Sequence, residues 1–179
     1  MSQKALLVID LQNDYFAEGK FPLWNTEQTL SNIKAAINNA NARNIPVIHI
    51  QHIADPAMGI APFFNQGSHG AEIHHEIMAL APNSAVVIKS FADGFEKTTL
   101  EETLQKFAVD ELLICGMMTQ NCVTHTAISK AAEKYKVSIL MDCTTTVNEM
   151  IHNIALHAVS TRVPLILSEQ AFKSRPLME

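Results

Sequence analysis

Cysteine, basic clusters and long apolar runs are all scarce in this sequence. Its 179 residues hold three cysteines, Cys115, Cys122 and Cys143, an odd number with no C-x-x-C or zinc-ligand spacing. Neither a disulfide framework nor a structural zinc is expected, and the thiols read as reduced groups of a cytosolic protein. No apolar stretch approaches the roughly 20 residues needed to span a bilayer, and the segment from Met1 to Leu11 is interrupted by Asp10. Export and membrane anchoring are therefore not expected. Lysine and arginine are scattered and total 13 against 18 acids, a net charge of −5. Without a basic cluster there is nothing to grip nucleic acid or an anionic membrane surface. Six glycines and seven prolines are too few for a low-complexity or linker-rich chain. At this length one core can bury about 70% of the unfolded surface, so a single domain over residues 1–179 is expected.

What is present is an alternation of strand-length apolar runs with helix-period segments. The runs are Ala5 to Ile9, Val47 to Ile50, Ala85 to Ile88, Glu111 to Cys115, Val137 to Met141 and Leu165 to Leu167. Nearly continuous apolarity predicts strands buried on both faces, the habit of a parallel sheet covered by helices. Between them, Leu30, Ile33, Ile37 and Ala40 share one helical face after an Asn25 or Thr26 cap, and a shorter helix carries Ile73, Ile77 and Leu80. Thr98 with Glu101 and Thr146 with Glu149 match the capping-box spacing, and a further helix is expected from Asn121 to about Tyr135. Right-handed crossovers then give an α/β, three-layer α/β/α domain with a mostly parallel six-stranded sheet. Ile53 to Gly70, with its prolines and glycines, reads as a long and therefore functionally interesting loop.

Open α/β sheets bind ligands beyond the carboxyl ends of their strands. Asp10 closes the first strand, Lys89 the third, and Thr119 to Cys122 follow the fourth. Taken singly, Asp10 fits a turn residue, Lys89 a solvated strand end and Cys122 an inert interior thiol. Together they place a carboxylate, an ammonium and a thiol on one sheet edge. A cysteine at a helix start is expected to favour thiolate, the carboxylate can take the thiol proton, and the lysine can keep that carboxylate charged.

The segments Val8 to Tyr15, Lys89 with Phe95, Thr98 and Leu100, and Gly116 to Val123 resemble the three motifs of the isochorismatase-like cysteine hydrolases, in the right order over nearly the whole chain. The resemblance implies an isochorismatase-like, Rossmann-like fold and a catalytic triad of Asp10, Lys89 and Cys122. It also implies a non-proline cis peptide that maps to Met117-Met118, with the Met118 and Cys122 amides as an oxyanion hole. The reaction implied is cleavage of a C–N bond in a small amide or ureide through a thioester on Cys122. Tyr15, Trp24, His52, Phe64, Phe95, Met117 and Asn121 are the candidate pocket residues, each of which also fits simple packing. A homo-oligomer, dimer or tetramer, is a family-based expectation, with a small molecule as the partner in the site.

The sequence also departs from parts of that family. Nicotinamidases hold a divalent metal through an Asp-x-His pair after the second strand, whereas His49 to Asp55 contains none. No catalytic metal and no cofactor are expected. Gln120 and Asn121 stand where charged or imidazole residues are frequent in that subgroup. Ala61 to Phe64, Gly67 and Ala71 to His74 instead resemble a metal-free group of small hydrolases. Nicotinamidase activity and isochorismatase-type vinyl ether hydrolysis relying on Asp10 remain alternatives. A dinucleotide-binding domain would need a glycine-rich turn that Asp10 to Asn13 does not supply, and an idle scaffold would have no use for the three polar groups.

Overall fold

A computed structural model describes residues 3–173. The strands are β1 (Lys4–Ile9), β2 (Val47–His52), β3 (Ala85–Lys89), β4 (Glu111–Met117), β5 (Lys136–Thr145) and β6 (Leu165–Ile166). All six expected strands form, and they pair in one sheet in the order β3-β2-β1-β4-β5-β6, every pairing being parallel. The chain builds outward from β1 to β3, crosses back, and builds outward again from β4. The switch point lies between β1 and β4, where Ile9 is the Cα partner of Gly116.

The helices are α1 (Thr26–Asn41), α2 (His75–Leu80), α3 (Leu100–Lys106), α4 (Thr124–Ala127), α5 (Glu149–Val159) and α6 (Ser168–Ala171). Strand side chains alternate between two apolar layers. Leu6, Val8, Leu113 and Cys115 pack with Ile33 and Ile37 of α1 and Ile77 of α2. Ala5, Leu7, Ile9, Ile48, Ile50 and Ile114 pack with Leu100 and Leu104 of α3 and Leu156 and Val159 of α5. Burial on both faces accounts for the unbroken apolar runs. No helix among the described residues is long and apolar enough to cross a membrane.

Four local expectations are corrected. Neither capping box forms. Thr98 Oγ1 accepts from the Leu100 N–H at 3.2 Å, and Thr99 occupies the cap position of α3. Glu101 instead accepts from Gln105, Lys134 and Tyr135, all through Oε1. Asn148, not Thr146, caps α5, its Oδ1 accepting from the Ile151 N–H at 2.9 Å. Asn25 does take the expected cap position of α1, in a left-handed conformation and without a side-chain hydrogen bond to the helix. The helix expected from Asn121 to Tyr135 is a π-helical turn over Thr119–Val123, then the short α4, then a 3-10 turn over Lys130–Lys134. The break falls at Ser129, whose ψ of 144° is extended. β5 runs on to Thr145, past the expected end at Met141, and so takes in Cys143.

Candidate active site

Asp10 immediately follows β1 in a left-handed conformation, φ 54°, a region in which aspartate is several-fold enriched. Its N–H donates to the Ile50 carbonyl at 2.9 Å, and its own carbonyl accepts from Gln12 N–H at 2.9 Å. The backbone is thus fixed on both sides of the carboxylate. Lys89 is the last residue of β3 and the Cα partner of His52, the last residue of β2. Partners in adjacent strands project from the same face. Cys122 sits in the π-helical turn that follows β4 and the cis Met117-Met118 peptide.

These placements converge. The Lys89 ammonium donates to Asp10 Oδ2 at 3.0 Å and to Cys122 Sγ at 3.2 Å, and it lies 2.8 Å from His52 Nδ1. Asp10, Lys89 and Cys122 are 0%, 2% and 2% exposed, so the cluster is closed to bulk water. Burial pulls the Lys89 pKa down, but its contacts, Asp10 foremost, outweigh that and raise it, so it remains an ammonium. Burial first and the Asp10 charge second push the Cys122 thiol far above its ordinary value, against the opposing pull of Lys89. The expectation of a thiolate from helix placement is therefore corrected. Burial is the largest influence on the group, and the resting form is a thiol. Asp10 Oδ1 is buried without a hydrogen-bond partner among the described residues, which leaves a lone pair for that thiol proton.

The candidate pocket residues divide. Tyr15, Phe64 and His52 come together: the Tyr15 and Phe64 rings meet edge-on at 4.6 Å, and His52 lies 5.9 Å from Phe64. Burial first, then the neighbouring Asp10 and Cys122, raise the Tyr15 pKa, so its phenol stays neutral beside the site. Trp24 lies 5.9 Å from the ring of His152, whose Nδ1 meets Thr119 Oγ1 at 2.8 Å. Phe95 stacks on Tyr135 at 6.3 Å and joins the apolar layer that contains Cys122, whereas Tyr15 and Phe64 belong to the opposite layer. Met117 is wholly buried core within β4. Asn121 is half-buried, and its N–H donates to the Met118 carbonyl at 3.0 Å.

Three positioning residues escaped the sequence reading. Gln12, wholly buried, donates from Nε2 to the His52 and Ala71 carbonyls and accepts the His52 N–H on Oε1, each at 2.8 Å. Asp14 Oδ2 accepts the Phe64 N–H at 2.8 Å, tying the Ile53 to Gly70 loop to the turn after β1. Thr119 anchors the π-helical turn to His152 on α5. Gln12 and Asp14 lie within the first motif, but no local pattern tells a side chain that ties down a distant loop from a solvated one. A groove of about 840 Å³ lined in part by Asp14, Leu30, Lys34, His74 and Glu76 contains none of Asp10, Lys89 and Cys122.

Among the described residues the single cluster that could offer three metal ligands is Asp10, His52 and Cys122, whose ligand atoms lie within 4.8 Å of one another. The Lys89 ammonium already occupies the centre of that donor set. A divalent ion would face a positive charge at hydrogen-bond range, so these residues do not fit one.

The fold and this cluster define an α/β enzyme with a buried carboxylate, ammonium and thiol at the switch point of a parallel sheet. The chain belongs to the isochorismatase family of hydrolases: the family model described as Isochorismatase domain matches residues 4–170. The uncharacterized isochorismatase family protein YddQ of Bacillus subtilis is 38% identical over 79% of this chain and 78% of its own. Nicotinamidase 3 of Arabidopsis thaliana is 30% identical over 85% and 78%. A putative isochorismatase hydrolase from Oleispira antarctica, solved by crystallography, superposes with a TM-score of 0.85 at 30% identity, covering 96% of each chain.

Proposed function

We propose that this protein is a cysteine hydrolase that cleaves a C–N bond of a small amide or ureide through a thioester on Cys122. The observation that carries the reading is the Lys89 ammonium bridging Asp10 and Cys122, with Asp10 Oδ1 unpartnered. A buried thiol with a raised pKa must lose its proton as it reacts rather than before.

In that scheme Asp10 Oδ1 takes the thiol proton while Sγ attacks the substrate carbonyl carbon and the carbonyl π pair moves to oxygen. The Met118 and Cys122 N–H groups receive the developing oxyanion. Among the described residues no backbone carbonyl accepts from the Met118 N–H, which supports this role. Collapse re-forms the carbonyl and breaks the C–N bond. Asp10 passes its proton to the departing nitrogen, which leaves as ammonia or an amine. Water then attacks the thioester and gives a proton to Asp10, the C–S bond breaks, and Sγ recovers the proton as the acid is released. Lys89 keeps its proton throughout and stabilises the carboxylate and the sulfur.

The test is ammonia release from a panel of primary amides, ureides and nicotinamide. Cys122→Ala is expected to reduce turnover to background, and full retention of activity overturns the proposal. The alternative is read on a vinyl ether substrate by release of its carbonyl product: loss there with Asp10→Asn but not with Cys122→Ala would indicate vinyl ether hydrolysis, which needs acid catalysis and no thiol.

A further inference from the structure

The contact between Lys89 and His52 has no part in the reaction steps above. An ammonium has three N–H donors and no acceptor. In Lys89 two of them go to Asp10 Oδ2 and Cys122 Sγ, and the third meets His52 Nδ1 at 2.8 Å. Nδ1 must therefore present its lone pair, and the imidazole proton must sit on Nε2. Lysine carries its charge on a flexible four-carbon stem, so its ammonium is held in one place only by the acceptors around it. The His52 backbone is itself clamped by Gln12 through both its N–H and its carbonyl. We propose that His52 is a positioning residue: as the neutral Nε2–H tautomer it completes the acceptor set of the Lys89 ammonium, and its protonation switches the site off.

The inference rests on the cysteine hydrolase reading, which supplies the reason for the ammonium's placement. The ionisable groups around His52 are Lys89 from β3, Asp10 after β1, and Cys122 from the turn after β4. The Phe64 ring flanks it from the loop. Burial first and Lys89 second lower the His52 pKa, and Asp10 opposes them without reversing the shift. His52 is thus neutral at pH 7. Protonated, it would place a second cation against Lys89 and withdraw the third acceptor. Lys89 would then lose its fixed position beside Asp10 and Cys122, and the thiolate formed during attack would lose its stabilising charge.

The test compares wild type, His52→Ala and His52→Asn, the last because asparagine Oδ1 can stand where Nδ1 stands. Three readouts are used: the rate of Cys122 alkylation by iodoacetamide as pH is lowered, the kcat and KM for an amide identified by the panel, and the His52 tautomer from imidazole 15N shifts. Circular dichroism checks that the variants fold. In the wild type His52 should be the Nε2–H tautomer at neutral pH, and the alkylation rate should fall more steeply on acidification than protonation of the thiol alone gives, the excess being the His52 limb. His52→Ala should slow alkylation and lower kcat by between about tenfold and 100-fold with little change in KM. His52→Asn should restore most of the rate and lack the His52 limb.

A His52 that is Nδ1–H or charged at neutral pH overturns the inference. So does a His52→Ala variant with the wild-type rate and pH profile, while a fast wild-type Cys122 leaves the hydrolase reading standing. Failure of that reading has a different signature: wild-type Cys122 reacts no faster than Cys115 or Cys143, and Cys122→Ala stays active. The positioning role then falls with it.

Discussion

Gly116 lies directly against Ile9 across the β1–β4 ladder. A Cβ at residue 116 would fall 2.0 Å from the Ile9 carbonyl oxygen, and the glycine holds a φ of +124°. Both facts demand glycine at the switch point, next to the turns that carry Asp10 and Cys122. Gly116→Ala is expected to cost more than about 3 kcal/mol, since backbone cannot yield as a side-chain tip can. Thermal melting checks this, and a wild-type midpoint would show that the ladder can spread.

Asp14 gives a second expectation. Its Oδ2 accepts from Phe64 N–H at 2.8 Å and its Oδ1 from Lys20 N–H at 3.1 Å. Gly70 packs so closely on this carboxylate that a Cβ there would lie 2.1 Å from Asp14 Oδ1. Asp14→Ala should therefore cost about 1–3 kcal/mol and raise hydrogen exchange in the Ile53 to Gly70 loop. Unchanged exchange there would mean that the aromatic contacts of Phe64 alone hold the loop.

The buried pair of Asp10 and Lys89 should behave as a unit. Lys89→Met strands a buried carboxylate and is expected to cost roughly 3–5 kcal/mol in urea unfolding. Adding Asp10→Asn removes the stranded charge, so the double variant should be more stable than the sum of the single losses implies. Simple additivity would argue against direct coupling.

Stability should fall on both sides of neutrality. Burial foremost lowers the pKa of His49, His52, His74 and His152 from the ordinary 6.5. The unfolded chain binds protons there that the folded chain refuses, so stability declines as pH drops below 6.5 and through the lowered values. Burial foremost raises the thiols Cys115, Cys122 and Cys143 above their ordinary 9.0. The unfolded chain releases those protons first, so stability also declines as pH rises above 9.0. Urea midpoints across pH test both limbs, and a midpoint that kept rising above pH 9.0 would contradict the second.

The start of α5 separates two readings of one stretch. Thr146 Oγ1 is buried with no partner among the described residues, whereas Asn148 Oδ1 caps the helix. Thr146→Val should be neutral or stabilising, and Asn148→Ala should cost about 1 kcal/mol. The reverse order would restore the Thr146–Glu149 box.

The amino-acid order alone determined the six strands, their burial on both faces and the polar residues at their ends. Those features are local: apolar runs of strand length and the residues that interrupt them can be read along the chain. Where the expectation rested on a short motif, the outcome depended on what else lay nearby. Glu101 had the right spacing for a capping box but found Lys134 and Tyr135, 33 and 34 residues away. The expected thiolate of Cys122 failed for a similar reason, because burial is a property of the packed site and not of a helix start. Only the tertiary structure decided that Lys89 faces three acceptors, that Gln12 clamps His52, and that Asp14 reaches Phe64 across 50 positions. Side chains this far apart in sequence meet only when strand register and loop path are fixed together, and neither leaves a periodic trace in the sequence.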